Sequence, residues 1–399
     1  MERLLEQALD AGFLGLSTMT NPWDKLDGDR YRSRSLPSTY ASWSEYRRFT
    51  RILRKRRRVF QGVPNITTKV NVFLFLWESM GLFRQPLKTT VISMMDPRAS
   101  RGIHRQVGWL SRAFNRLLGA DFRWQALPEV FDLWADGIDL VVFEEFGAGA
   151  AALHLQDAAS RAQLLREPAY RERFRRQWTS RFLPKAFHRD FNQSEILACP
   201  DTRLVGRSFA QVAQEQGRHV VDVFLDLVAT HGDALRWYTV MANDRPEELD
   251  FICQHPDALI GFSDAGAHLR NMAHYNFPLR LLRRVRQAQL RGQPFMSVER
   301  AVHRLTGEIA QWMGMDAGVL APGKRADVVV VNPEGLTEQV DAATEAPMEN
   351  FGGFVRLVRR NNSAINAVLI SGREAVCNGE VTPALGRERG FGQVLRASP

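Results

Sequence analysis

The stretch Gly261-Phe262-Ser263-Asp264-Ala265-Gly266-Ala267-His268 carries the densest chemical signal in the chain. An apolar run, Leu259-Ile260-Gly261-Phe262, ends on Ser263 and the carboxylate of Asp264, and the residues that follow are small enough for a ligand to approach the backbone. In a parallel barrel the C-terminal strand ends line the active site, so a carboxylate there faces substrate. It could take a proton from a metal-bound water and return it to a leaving amine. A strand-ending Asp also makes turns and helix caps, and on this segment alone both readings stand. His268 divides evenly between a pocket residue and a packing residue on the following helix. His274 and Tyr275, ten and eleven residues past Asp264, would flank such a pocket.

Nothing else in the chain offers a metal-ligand or nucleophile pattern of comparable density. His104, His154, His188, His219, His231, His255, His274 and His303 show neither HxH nor HxxxH spacing, and surface or packing roles are expected for most of them. Cys199, Cys253 and Cys377 are far apart and odd in number, which gives neither a disulfide framework nor a CxxC pair. A reducing, cytoplasmic setting is the default expectation from that usage.

The elements that must position Asp264 follow from hydrophobic periodicity. Leu4, Leu5, Ala8 and Leu9 recur at helical spacing, Gly12 sits where a helix stops, and Phe13-Leu14-Gly15-Leu16 reads as a buried strand. Helices predicted over 43–53, 72–80 and 104–118 alternate with strands predicted over 58–61, 87–93 and 122–127. Strands separated by helices of about ten residues argue for parallel βα units. Residues 128–205, rich in Arg, Phe and Trp, break the rhythm and are expected to form a helical insertion near the pocket. Regularity returns with a helix over 220–231, a strand over 236–240, a helix over 246–255 and the strand that ends at Asp264. After a helix over 297–307 and the turn-rich 318–327, Val328 to Val331 begins a run of short strands and Gly/Asn turns. The expected division is central barrel units in 1–127, an insertion in 128–205, C-terminal barrel units in 206–315 and a β module in 316–399.

Bulk properties bound the partners. With 45% apolar and 24% charged residues the composition is that of a globular protein, not a disordered one. The net charge of +9 is spread along the chain, with one dense run at Arg54-Lys55-Arg56-Arg57-Arg58. That run follows a predicted helix, where cations complement the helix dipole, and no nucleic-acid-binding motif accompanies it. No nucleic-acid partner is therefore expected. The longest apolar run, residues 70–77, is far shorter than the ~20 residues a membrane helix needs, and no membrane partner is expected either.

Three segments together resemble a known family. The Ser-Asp-Ala-Gly-Ala-His string at 263–268 resembles the last barrel strand of the amidohydrolase superfamily, in particular its N-acyl-D-amino-acid deacylase branch. Residues 320–330, Leu-Ala-Pro-Gly-Lys-Arg-Ala-Asp-Val-Val-Val, look like the return into that superfamily's β-sandwich, and residues 8–18 look like a helix–strand step in mid-barrel. The three matches occur in family order and span nearly the whole chain.

The resemblance implies an α/β fold: a (β/α) TIM-type barrel, incomplete at its N-terminal strands, with a small C-terminal β-sandwich module. It implies hydrolysis of a linear amide C–N bond in a small N-acylated amino acid or related amide, with Asp264 as general acid/base and tentative metal ligand, and Zn²⁺ as cofactor. His268, Gln61 and Arg270 are the implied substrate-binding residues, Arg270 as a candidate for holding the substrate carboxylate. An oligomer is compatible with this picture.

The chain also departs from the family pattern. The first-strand HxH or HxD pair would lie upstream of Met1, and by order along the chain the two later metal-binding histidines fall near Gln61 and Met94. Neither is a useful zinc ligand. Asp96, two residues past Met94, offers a carboxylate. The alternative reading is a metal-free homologue that binds a ligand or partner without catalysis. A barrel without its first strands is also expected to expose two unpaired edges, so that the chain alone is not a complete folding unit.

Overall fold

The computed structural model describes residues 1–26, 30–31, 33–65, 70–181, 183, 185–264 and 266–397. Helix α1 (Glu2–Asp10) buries Leu5 and Leu9 and feeds strand β1 (Gly15–Met19). Helix α2 (Trp43–Lys55) starts at a capping box, in which the Ser42 hydroxyl and the Glu45 carboxylate satisfy each other's backbone N–H groups. It ends in the basic run: Arg54 and Lys55 occupy its last turn and Arg56 pairs with Asp10 at 2.7 Å. Strand β2 (Val59–Val63), helix α3 (Val70–Ser79), strand β3 (Thr89–Ile92), helix α4 (Ile103–Leu117) and strand β4 (Phe122–Ala126) continue the alternation.

Strands β5 (Phe131–Asp136), β6 (Ser194–Ala198) and β7 (Arg236–Ala242) leave this sheet, and β8 (Ala258–Ile260) returns to it. The result is a five-stranded parallel sheet in the order β1-β2-β3-β4-β8, with Gly15 opposite Val59, Phe60 opposite Thr89, Thr89 opposite Phe122 and Trp124 opposite Ala258. It is the βα barrel expected from the sequence, left open: β1 and β8 are its outer strands and do not pair with each other.

Alternation along each strand sends one set of side chains to the helices and the other to the inner face. Phe60, Val91, Phe122, Trp124 and Ile260 join Leu53, Phe75, Leu76 and Ile252 in the core beneath the helices. Gly62 is needed there, because a Cβ would lie 2.2 Å from the Phe75 ring. On the opposite face Ser17, Gln61, Thr90, Gln125 and Gly261 line one cavity of about 660 Å³. Ile309 and Met313 close part of it.

The excursion between β4 and β8 has its own core. Helices α5 (Gly147–Leu153), α6 (Ala158–Arg166), α7 (Pro168–Trp178), α8 (Phe209–Glu215) and α9 (Val220–His231) surround Phe143, Phe174, Trp178, Phe191, Phe209, Phe224 and Trp237. The rings stack closely, Trp178 on Phe191 at 4.3 Å and Phe191 on Phe224 at 4.6 Å between centroids. The strand predicted over 236–240 forms but is not a barrel strand. It is β7, the centre of an antiparallel sheet in the order β5-β7-β6. Trp237 explains this placement: its ring fills the aromatic core and its indole N–H donates to the Gly137 carbonyl at 2.7 Å.

Helices α10 (Pro246–Gln254), α11 (Phe277–Leu290), α12 (Val298–Leu305) and α13 (Gly307–Met313) flank and follow β8. Trp312 of α13 packs on Val59 and Leu259 and donates to Asp121 at 2.7 Å, so this helix covers the N-terminal ends of the strands. The C-terminal β module contains β9 (Val328–Val331), the hairpin β10 (Thr344–Met348) and β11 (Phe354–Val358), and β12 (Ile365–Ile370), β13 (Arg373–Cys377) and β14 (Glu380–Val381). Four of these strands form an antiparallel sheet in the order β14-β13-β12-β9, and β10 and β11 pair separately. No described helix is long and apolar enough to cross a membrane.

Candidate functional site

Beyond β8 the chain stays extended through Phe262, whose N–H reaches the Ala126 carbonyl, and then turns sharply. Asp264 (φ 49°), Gly266 (φ 93°) and His268 (φ 50°) all take the left-handed region. Asp tolerates that conformation better than a β-branched residue would. The turn is held by Ala267 N–H to the Asp264 carbonyl at 3.1 Å and Asn271 N–H to the His268 carbonyl at 2.7 Å. Ala265 of the string lies outside the described residues.

Asp264 is exposed and lines a cavity of about 180 Å³ together with Gly266, Ala267, Leu269, Met272, His274, Tyr275, Arg356 and Leu357. The β module builds the far wall, and Leu357 N–H bonds the Leu269 carbonyl at 2.9 Å to fix strand β11 against the turn. His274 and Tyr275 do flank the pocket. His274 is buried, with Nδ1 at 2.7 Å from Glu129 Oε1 and Nε2 at 3.8 Å from Asp132. Arg280 holds Glu129 from the other side and Arg359 holds Asp132 at 3.2 Å. Tyr275 accepts the Arg359 N–H through its hydroxyl. Burial pushes the Tyr238 phenol up, and the Asp132 carboxylate beside it adds to that.

A residue missed in the sequence stands nearby. Asp24 follows β1, at the same end of the sheet as Asp264. Its carboxyl is pushed up by burial and by Asp264, and drawn down by an Asn21 hydrogen bond and by the His268 imidazole. Asp24 is thus within electrostatic reach of both Asp264 and His268. The available signal was positional: a carboxylate just beyond a barrel strand's C-terminal end.

The remaining predicted residues lie elsewhere. Gln61 is on the inner face of β2, opposite Ser17 of β1 and Thr90 of β3, in the larger cavity and not in the one Asp264 lines. Thr90 Oγ1 is buried there without a hydrogen-bond partner among the described residues. Arg270 does not face the cavity as a free cation: it grips Asp136 through two hydrogen bonds of 2.8 and 3.0 Å and also pairs with Glu345 at 3.2 Å.

Met94 is a core residue. It is fully buried against α4, and a Cβ on Gly108 would lie 2.6 Å from its methyl group, so it does not occupy a ligand position at the mouth of the sheet. Asp96 is buried and enclosed by Arg245 at 2.7 and 2.8 Å, Arg101 at 3.0 Å, His104 at 3.3 Å and the Gly102 N–H at 3.0 Å. Burial pushes its carboxyl up, but these partners outweigh it and hold it at about 2. Its lone pairs are committed to structure.

These placements test the fit of zinc. The inner-face side chains at mid-sheet are Ser17, Gln61, Thr90 and Gln125, all neutral. Among the described residues no three His, Cys, Asp or Glu side chains converge to hold a metal ion. The residues present do not fit the zinc site that the sequence resemblance implied.

Comparison with known proteins places this geometry. No protein-family model matches the chain. Uncharacterized proteins of Mycobacterium tuberculosis and Mycobacterium bovis are 45% identical to it over 405 residues, an alignment that takes in 100% of this chain. The chain spans 66% of the length of these relatives. Among solved structures, a D-aminoacylase superposes with a TM-score of 0.54 at 17% identity, covering 99% of this chain and 65% of its own. The chain has the D-aminoacylase fold. The N-acyl-D-glutamate deacylase of Bordetella bronchiseptica, solved with zinc and a phosphonate mimic of the tetrahedral intermediate, gives 0.52 at 19% identity with coverage of 99% and 65%. A D-aminoacylase studied for its binuclear metal centre gives 0.52 at 17%.

Proposed function

We propose that the protein is an amidohydrolase acting on the C–N bond of a small N-acyl amino acid, with Asp264 as the group that moves the proton. The observation that carries this reading is an exposed carboxylate at the C-terminal end of a parallel strand, opening into a small cavity walled by Tyr275 and Arg356. Water attacks the amide carbonyl carbon and gives a proton to the Asp264 carboxylate. The tetrahedral centre then collapses as the C–N bond breaks, and the same proton passes to the departing nitrogen, leaving a carboxylic acid and an amine. No step is assigned to a metal, because the described side chains do not assemble a site for one.

The substrate class is proposed from the solved neighbours, which include an N-acyl-D-glutamate deacylase. The test is hydrolysis of N-acetyl amino acids of both configurations by the wild-type protein and Asp264→Asn. Turnover should fall by about 10²–10⁴-fold in the variant, the usual contribution of a general acid–base group. Near-normal turnover in a folded Asp264→Asn protein removes Asp264 from the mechanism. Ligand binding with no turnover in the wild type indicates a binding protein instead.

A further inference from the structure

Helices α2 and α3 enclose a hollow of about 280 Å³, lined by Arg47, Arg51, Arg54, Trp77, Glu78 and Arg84. Arg47, Arg51 and Arg54 are four and three residues apart and so share one face of α2. Glu78 supplies the one carboxylate among these lining residues; it is buried, with Arg47 and Arg54 each at 3.5 Å. Arg54 donates to the Gln85 carbonyl at 2.9 Å and to the Glu78 carbonyl, and Arg84 donates to the carbonyls of Met80 at 3.2 Å and Trp77. These bonds fix the two guanidinium groups without neutralising them. Arg51 is exposed and has no hydrogen bond or ion pair among the described residues. Burial and the Arg84 charge both push the Arg54 guanidinium below its ordinary value. Four cations around one carboxylate leave a positive excess that an anionic group would relieve.

Apolar groups border this charge. Val70, Phe73 and Trp77, three and four residues apart on α3, are all exposed. Leu82 and Phe83 are exposed in the turn that follows, Phe83 at 98%. Phe83 also takes the left-handed region (φ 59°), a strained conformation for a bulky side chain. The turn that presents its ring is fixed. Arg84 N–H bonds the Gly81 carbonyl at 3.2 Å, Gly81 N–H bonds the Leu118 carbonyl at 3.2 Å, and a Cβ on Gly81 would lie 2.5 Å from the Gly119 carbonyl oxygen. Leu117 and Arg116, next to that contact, are exposed as well. The Phe83 turn and Leu117 precede β3 and β4, at the opposite end of the parallel sheet from Asp264.

An exposed aromatic rim beside unneutralised arginines is complementary to an anionic lipid surface, which offers phosphate to the cations and an apolar boundary to the rings. A second copy meeting the same face would instead bring like charges together. The apolar run 70–77 is too short to cross a bilayer, and no described helix spans one, but resting on a bilayer surface requires no spanning helix. We propose that this face binds anionic phospholipid bilayers, with a lipid phosphate seated among Arg47, Arg51, Arg54 and Arg84 and with Trp77 and Phe83 entering the headgroup region. The Asp264 cavity then opens away from the bilayer. Such docking does not depend on the role of Asp264.

The experiment is flotation of the 399-residue protein with vesicles of phosphatidylcholine, with and without phosphatidylglycerol. Flotation separates lipid-bound protein from self-associated protein. The protein should float with the phosphatidylglycerol vesicles and not with pure phosphatidylcholine, and added salt should release it. Arg51→Gln should weaken binding about fivefold, the usual loss per arginine at an anionic surface. Phe83→Ser should weaken it about tenfold, through the lost burial of the ring. Arg203→Gln, which removes an exposed arginine of the excursion, should leave binding unchanged and so separates this face from net charge. Thermal unfolding confirms that each variant is folded. Absence of flotation, equal flotation with both vesicles, or equal losses in all three variants overturns the proposal. Calorimetric binding of inorganic phosphate without flotation also overturns it and leaves a site for a soluble anion. Self-association abolished by Phe83→Ser, again without flotation, overturns it in favour of a second copy.

Discussion

Asp264 combines three conditions that few residues meet together: a strand end, a left-handed backbone and an exposed carboxylate beside a cavity. Asp24, beyond the end of β1, feels the charges of both Asp264 and His268. Gln61 shows the opposite case, a side chain directed by strand alternation alone onto a face where it meets only neutral groups. Amide and hydroxyl groups bind zinc poorly compared with imidazole and carboxylate. The 399-residue protein should therefore retain less than one equivalent of zinc after dialysis against a mild chelator, as measured by elemental analysis. A full equivalent would mean that Asp24, Asp264 and His268 rearrange into a ligand set that their present positions do not provide.

At the scale of elements, one half-buried imidazole ties the excursion to its sheet. His188 accepts the Asp190 N–H on Nδ1 at 2.9 Å, which leaves Nε2–H to donate to Thr239 of β7 at 3.2 Å. Burial and the nearby Arg98 charge push this imidazole down to about 4 from its ordinary 6.5. The unfolded chain therefore binds a proton between those values that the folded chain does not. Stability should fall as pH drops from about 6.5 to about 4, by up to about 3 kcal/mol. Urea unfolding followed by tryptophan fluorescence at several pH values should show that slope in the wild type and a shallower one in His188→Gln. Equal slopes would place the acid sensitivity elsewhere. The same sheet explains why residues 236–240 misled: alternation and flanking helices identify a strand equally well in either sheet. What decides between them is whether Trp237 has an aromatic cavity to fill, and that cavity is assembled from segments up to 94 residues away, such as Phe143.

For the whole molecule, the open sheet is the dominant feature. Strands β1 and β8 each have one strand neighbour, so each has a side without a strand ladder. At β8 the Ala258 N–H and carbonyl are nevertheless taken up by the His255 carbonyl and the Arg304 guanidinium. Phe13 and Val394 are exposed beside the large inner cavity, where the Ala397 N–H bonds the Gly12 carbonyl at 3.0 Å. Parallel strands of this kind are normally buried on both faces. The isolated chain is expected to self-associate at micromolar concentration, seen as heavier species in sedimentation velocity and as broad thermal unfolding. A single monomeric species with a sharp cooperative transition would show that the present edges are adequately protected.

Periodicity in the sequence determined the βα alternation of residues 1–127, the return to a strand before Asp264 and the β-rich C-terminal region, because amphipathic patterns are local and survive without knowledge of neighbours. The Ser-Asp-Ala-Gly-Ala-His string likewise marked the strand end at which a carboxylate would stand. Pairing and side-chain direction were decided only by the tertiary structure, since both depend on residues distant in the chain. Met94 turned into the core because α4 offers the small Gly108 opposite it, and Asp96 was taken by arginines from two separate segments. Arg270 was claimed by Asp136 of β5 and Glu345 of the β module, while Arg356, unremarkable in sequence, was carried to the cavity by a hairpin that begins 80 residues after Asp264. Which charges cancel and which remain available for a ligand is a property of the assembled fold.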